Sequence, residues 1–206
     1  MKNIRVLIAD DHAIVRHGLC ALLGTERGIE VVGEAKDGNE AVARTKQLAP
    51  DVVIMDIVMP RKDGVEATAE IRAAVPSAKI VVLTSFGTSN KISRAIEAGA
   101  TGALMKTAED RELISAIRTV ASGGRVISPA VRKLISTDPP APELTPRQLE
   151  ILQAMARGLT NKDIAKMFSI RTDGVNEHVL AILAKLGAAN RTEAVATAIR
   201  KQLIRL

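Results

Sequence analysis

The chain has 206 residues, 47% hydrophobic and 25% charged, with a formal net charge of +6, the profile of an ordinary globular protein whose length suits two small domains. Phe86 and Phe168 are its only aromatic residues and Cys20 its only cysteine, which excludes both the ring platforms that stack single-stranded nucleic acid and any disulfide within the chain. Nothing approaches the roughly 18 apolar residues of a membrane span, and Asp10 and Asp11 cut short the first apolar run; no signal peptide, no membrane partner and a cytoplasmic location are expected.

In chain order, strands are expected at Ile4 to Ala9, Glu30 to Ala35, Asp51 to Met55, Lys79 to Leu83 and Ala103 to Met105. They read as continuous apolar runs, as strands covered on both faces do. Between them lie amphipathic helical stretches, such as Ala41, Val42, Thr45 and Leu48, or Leu113, Ile114, Ile117 and Val120. Five strand–helix alternations give an α/β domain over residues 1–122, a flavodoxin-like (βα)5 unit with a doubly wound parallel sheet. Residues 123–142 are expected to be a linker. Ser128 and Pro129 can cap a short helix in it that ends near Ile135, and Asp138 to Pro142 reads as a stiff extended segment. Residues 143–206 look all-α, with four helices. Thr145-Pro-Arg-Gln148 is a capping box, Thr160 with Asp163 opens a second helix, Thr172 to Leu186 forms a third that stops at Gly187, and a fourth starts at Asn190. From Pro142 onward ten basic residues face six acidic ones, a weak asymmetry toward an anionic partner.

Ligands of doubly wound sheets bind beyond the carboxyl ends of the strands. There the first strand ends in Asp10 and Asp11, the third in Asp56, the fourth in Thr84 and the fifth in Lys106. Two carboxylates about 4 Å apart repel by roughly 4 kcal/mol at an effective dielectric near 20. A hard divalent cation removes that cost, and Mg²⁺ is the expected one. With Lys106 it would neutralise an incoming phosphoryl group. Asp56, just before the turn Met59 to Gly64, has the clearest approach and is the expected nucleophile. Met55, Met59 and Met105 read as core filler, and His12, His17 and His178 as packing or surface residues.

The second and third C-terminal helices have helix-turn-helix proportions, with Val175, Ile182, Leu183 and Leu186 as the buried stripe of the third. Its opposite face, with Asn176, Glu177 and Leu180, is expected in the major groove of double-stranded DNA. Lys162, Lys166, Arg171, Lys185 and Arg191 are candidate phosphate contacts.

Val6-Leu-Ile-Ala-Asp-Asp-His12, Val52-Val-Ile-Met-Asp-Ile-Val-Met-Pro60 with Asp63-Gly64, Val81-Val-Leu-Thr84 and Gly102-Ala-Leu-Met-Lys106 together resemble the receiver domain of two-component response regulators. Leu144-Thr-Pro-Arg-Gln-Leu-Glu-Ile-Leu152, Gly158-Leu-Thr-Asn-Lys-Asp-Ile-Ala165, His178 and Leu186-Gly187 with Asn190-Arg-Thr-Glu-Ala194 resemble the LuxR-type effector domain, which points to the NarL/FixJ class. The resemblance implies that Asp56 accepts a phosphoryl group from a histidine kinase. It also implies that Asp11, Asp56 and the Val58 carbonyl hold Mg²⁺, with Asp10 assisting through water. Thr84 and Lys106 would touch the phosphoryl oxygens, and phosphorylation would gate dimeric DNA binding and transcription control. The fourth effector helix, with Ala194, Val195, Ala198 and Ile199, would pair the dimer.

Two departures stand out. Ala103 occupies the place, three before the lysine, where the family usually has an aromatic residue; Phe86 is the nearest substitute. The recognition helix has Gly174 and Asn176, then Glu177, where the family usually has Thr and Lys. An alternative therefore stays open: a receiver-controlled protein–protein interaction regulator with weak or lost sequence-specific DNA binding. An aspartyl-phosphate phosphatase would carry a second Asp where Val58 stands, so slow self-dephosphorylation alone, and no enzyme activity on outside substrates, is expected.

Overall fold

A computed structural model describes residues 3–85, 89–137, 144–201, 203 and 204. Phe86 and the extended segment expected at Asp138 to Pro142 lie outside them. The chain divides into two units, Met1–Pro139 and Pro140–Leu206.

The first unit alternates β1 (Ile4–Ala9), α1 (Ala13–Gly24), β2 (Ile29–Ala35), α2 (Gly38–Leu48), β3 (Val52–Asp56), α3 (Gly64–Ala74), β4 (Lys79–Thr84), α4 (Ser89–Glu97), β5 (Gly102–Met105) and α5 (Asp110–Ala121). The strands pair in parallel in the order β2-β1-β3-β4-β5, the doubly wound arrangement expected from the alternation. Because side chains alternate across a strand, each continuous apolar run supplies two cores. Leu7, Ala9, Val53, Met55 and Val82 meet α2, α3 and α4 on one face. Val6, Ile8, Ile54, Val81 and Leu104 meet α1 and α5 on the other.

The segment expected to be a linker contributes more than a short helix. Val126–Ile127 forms β6, a sixth parallel strand against Gly102 and Ala103 of β5, where the β5 edge would otherwise expose unpaired amides. Two residues carry no periodicity, so this strand is invisible in the sequence. The helix, α6 (Pro129–Thr137), is capped by Ser128, whose Oγ accepts from the Val131 amide at 3.2 Å. It buries Val131 completely in the cluster that contains Ala103, with Leu134 and Ile135 packed alongside. The first unit thus runs past residue 122 to Pro139.

In the second unit, α7 (Pro146–Ala156), α8 (Asn161–Met167), α9 (Thr172–Leu186) and α10 (Arg191–Arg200) enclose a core of Leu144, Ile151, Leu152, Met155, Ile164, Val175, Ile182, Ala194 and Ala198. Both expected capping boxes form, Thr145 with Gln148 and Thr160 with Asp163. Asn190 caps α10, and Gly187 ends α9 in the left-handed conformation.

Asp63 joins cap and charge in the first unit. It forms a capping box with Glu66 on α3, and its Oδ2 accepts from Lys91 of α4 at 2.9 Å. Burial raises the Asp63 pKa, but Lys91 and the Glu66 and Val65 amides outweigh it and hold the carboxyl below its ordinary value. A depressed carboxyl stabilises the fold fully above the unfolded value of about 4, and that contribution is lost as pH falls through the folded value. Urea unfolding of Asp63→Ala is therefore expected to show a loss of about 1–2 kcal/mol at neutral pH, narrowing as the pH approaches about 3.

Candidate functional site

The strand register gathers the expected groups at one end of the sheet. Asp56 closes β3 opposite Leu83, Thr84 closes β4 opposite Met105, and the Lys106 amide donates to the Thr84 carbonyl at 2.7 Å. Asp10 follows β1, its amide donating to the Ala35 carbonyl at 3.1 Å. Lys106 Nζ stands 2.7 Å from Asp10 Oδ2 and 2.8 Å from Asp56 Oδ2. Asp10 Oδ2 is buried, and the Lys106 ammonium is the charge that faces it. Asp10 and Asp56 are almost wholly buried, whereas Asp11 is exposed. The Val58 amide donates to Asp56 Oδ1 at 3.3 Å, and the buried Thr84 hydroxyl donates to the Ser85 carbonyl at 3.1 Å.

Burial pushes the Asp56 carboxyl above its ordinary range; Lys106 opposes this and Asp10 reinforces it. Burial alone would lower the Lys106 pKa, but Asp10 and Asp56 hold the ammonium above its usual value. One ammonium thus serves two carboxylates. Ligand atoms of Asp10, Asp11, His12 and Asp56 all lie within 4.8 Å of one another. Carboxylate oxygens in excess of nearby positive charge suit a hard divalent cation.

His12, expected to pack or to lie at the surface, is exposed and also joins this group. Its Nδ1 lies 2.8 Å from Asp11 Oδ1 and 3.2 Å from Asp10 Oδ1; adjacency to the acidic pair was the available signal. Gly64, which ends the turn after Asp56, is fixed by the backbone it faces. A methyl group there would lie 2.1 Å from the Asp56 carbonyl oxygen and 2.9 Å from Ile57 Cα, so only glycine lets α3 start directly over the Asp56 backbone. Gly38 plays the same part toward the other end of this turn, with the Lys62 carbonyl oxygen 2.5 Å from a would-be methyl.

In the second unit α9 exposes Asp173, Asn176, Glu177, Leu180 and Ala184, one stripe along the helix, with Leu180 66% exposed. Lys162, Lys166 and Arg171 are exposed, and Arg171 lies 3.5 Å from Asp173. Lys185 does not join the stripe: it is half-buried and donates to Gln148 Oε1 of α7 at 3.0 Å. Arg191, half-buried, donates to Asn161 and to the Leu159 carbonyl. That engagement leaves no local pattern along the chain, because the partners lie about 30 residues away, at the start of α8. On α10, Val195 packs against the core and Ile199 is 37% exposed.

Residues 6–118 match the family model of the response regulator receiver domain, and residues 142–198 that of the bacterial regulatory proteins of the luxR family. The transcriptional regulatory protein LiaR of Bacillus subtilis is 42% identical over 98% of this chain and 99% of its own. The crystal structure of response regulator ChrA of a heme-sensing two-component system is 37% identical, with a TM-score of 0.61 over 99% of this chain and 100% of that one. A structure of the two-component response regulator RcsB–DNA complex is 26% identical, with a TM-score of 0.68 over 97% of this chain and 99% of that one.

The two glycines that border these sites predict opposite outcomes. Gly64→Ala must displace the turn that carries Asp56, a loss of about 1–3 kcal/mol in urea unfolding. Gly174→Ala meets nothing within 4 Å in α9 and is expected to stabilise by about 0.5–1 kcal/mol.

Proposed function

The chain belongs to the two-component response regulators that join a receiver domain to a LuxR-type effector domain, and on that premise we propose that Asp56 is the phosphoacceptor controlling DNA binding by α9. The observation that carries this reading is the Lys106 ammonium held between Asp10 and Asp56. A carboxylate oxygen of Asp56 attacks the phosphorus of a histidine kinase's phosphohistidine; the new O–P bond forms as the N–P bond breaks, and the imidazole leaves. Mg²⁺, held by Asp11, Asp56 and the Val58 carbonyl with Asp10 acting through water, would neutralise charge on the phosphoryl oxygens. Lys106 is already within reach of Asp56 and turns its ammonium to a phosphoryl oxygen, and the Thr84 hydroxyl moves from Ser85 to another. With Val58 where a phosphatase would carry its acid, hydrolysis of the acyl phosphate is left to slow self-dephosphorylation.

Output from this pocket takes a modified route. Ala103 is buried in the core cluster to which α6 adds Val131 and against which Ile127 and Leu134 pack, so β6 and α6 contribute apolar side chains to the core that holds the position where the family usually carries a ring. Asp63, held to α4 by Lys91, and Gly64, set against the Asp56 backbone, link the acceptor to α4 instead.

The effector unit binds a two-fold DNA site as a dimer paired through Val195 and Ile199, with half-sites about 10 base pairs apart or a multiple of that. Lys162 and Arg171 contact phosphates, and the exposed Leu180 meets a thymine methyl. Asp173 and Glu177 on the same stripe favour a second reading, in which α9 docks on a protein. Gel shifts against genomic fragments at low salt separate the two, since a protein-docking helix retains no fragment.

Incubation with acetyl phosphate and Mg²⁺ is expected to add the mass of one phosphoryl group, and Asp56→Asn to add none. Footprints that persist unchanged in Asp56→Asn would remove the phosphorylation gate.

A further inference from the structure

Asn161, at the start of α8, lies between two partners. Arg191 Nη1 donates to Asn161 Oδ1 at 3.2 Å, and Arg191 Nη2 donates to the Leu159 carbonyl at 2.5 Å. On the other side Asn161 Nδ2 donates to Asn176 Oδ1 at 2.8 Å. A guanidinium offers five donors and no acceptor. The atom of Asn161 that faces Arg191 must then be its oxygen, its nitrogen is left for Asn176, and Asn176 must answer with its own oxygen. Two amides whose ends are otherwise interchangeable are thus oriented in sequence from one charged group.

Asn176 sits on the exposed stripe of α9 with Glu177 and Leu180. We propose that Arg191 and Asn161 hold Asn176 so that it offers only N–H donors to the major groove and selects guanine. An unconstrained asparagine takes adenine, accepting from N6 while donating to N7. With Oδ1 turned to Asn161, the N6 amino group of adenine and the N4 amino group of cytosine find no acceptor. Guanine presents N7 and O6, two adjacent acceptors. Arg191 and Asn161 are positioning residues: they act on DNA through the amide of Asn176. The inference rests on the reading of α9 as a recognition helix.

The test is selection of duplexes from a randomised pool by the full chain treated with acetyl phosphate and Mg²⁺, followed by sequencing. The unaltered protein is expected to enrich guanine over adenine about tenfold at one position of each half-site. Asn161→Asp still accepts from Arg191 but has no donor for Asn176, which reverses its amide. The preference at that single position then moves to a base with an amino donor, cytosine or adenine, while the rest of the site is unchanged. An acidic residue in the first turn of α8 is favourable to the helix, and an unchanged melting temperature checks the fold. A measurement that needs no variant uses 7-deazaguanine at the selected position, expected to weaken binding of the unaltered protein several-fold. An identical preference in the unaltered protein and Asn161→Asp, adenine selected by the unaltered protein, or indifference to 7-deazaguanine overturns the proposal while leaving DNA binding intact. Failure to enrich any sequence overturns the DNA-binding reading itself, and this inference with it.

Discussion

A single ammonium group between two buried carboxylates is the interaction around which the first unit is arranged. Asp10 and Asp56 come from adjacent strands and are almost fully removed from water, so their mutual repulsion is poorly screened. Lys106 reaches both within 2.8 Å because β5 lies on the far side of β4 and ends level with β3 and β4. Removing one partner from such a cluster would leave an uncompensated buried charge, the costly case for buried ions. With Asp11 added, negative charge still exceeds positive at the rim, which is the electrostatic condition for a divalent cation.

The backbone around Asp56 is set by contacts closer than any side chain permits. Gly64 faces the Asp56 carbonyl and Gly38 faces that of Lys62, so the turn between β3 and α3 is held against α2 and α3 at both ends. Arg61, in the left-handed conformation, sends its guanidinium to the buried Asp37 that caps α2. Asp63 then carries the turn's other end to α4 through Lys91. Asp56 and α4 are thus joined through one tightly held turn. Across β5, β6 covers an edge, and α6 adds Val131 to the core cluster that holds Ala103. The apolar core there depends on branched aliphatic side chains, as befits a chain so poor in rings.

The second unit separates two kinds of polar group that look alike in one dimension. Lys162 and Arg171 are exposed where an anionic surface could meet them, Arg171 beside Asp173, whereas Lys185 and Arg191 serve the fold by binding Gln148, Asn161 and the Leu159 carbonyl. Half-buried donors of this type keep their packing and hydrogen bonds only in place, so charge alone does not identify a DNA contact. Acidic Asp173 and Glu177 leave the exposed stripe of α9 with no positive charge of its own, and shape and hydrogen-bond polarity gain weight over simple attraction.

Much of this was readable before any fold was known. Asp10, Asp11, Asp56, Thr84 and Lys106 each follow an apolar run, and parallel strands with helical crossovers can only bring such ends together. The capping boxes at Thr145 and Thr160 were equally legible, because a cap is a local exchange between residues three apart. What depends on distant partners was not. β6 is a strand only because β5 offers it an edge, Gly64 is obligatory only because α3 starts over Asp56, and His12 joins the carboxylates only through the direction its backbone takes after β1. The polarity of Asn176 is decided by Arg191, 15 residues beyond it and on another helix. Sequence alone determined which chemical groups the chain owns and the local elements that carry them; tertiary structure decided which of those groups face each other, because hydrogen-bond direction and close approach are properties of pairs.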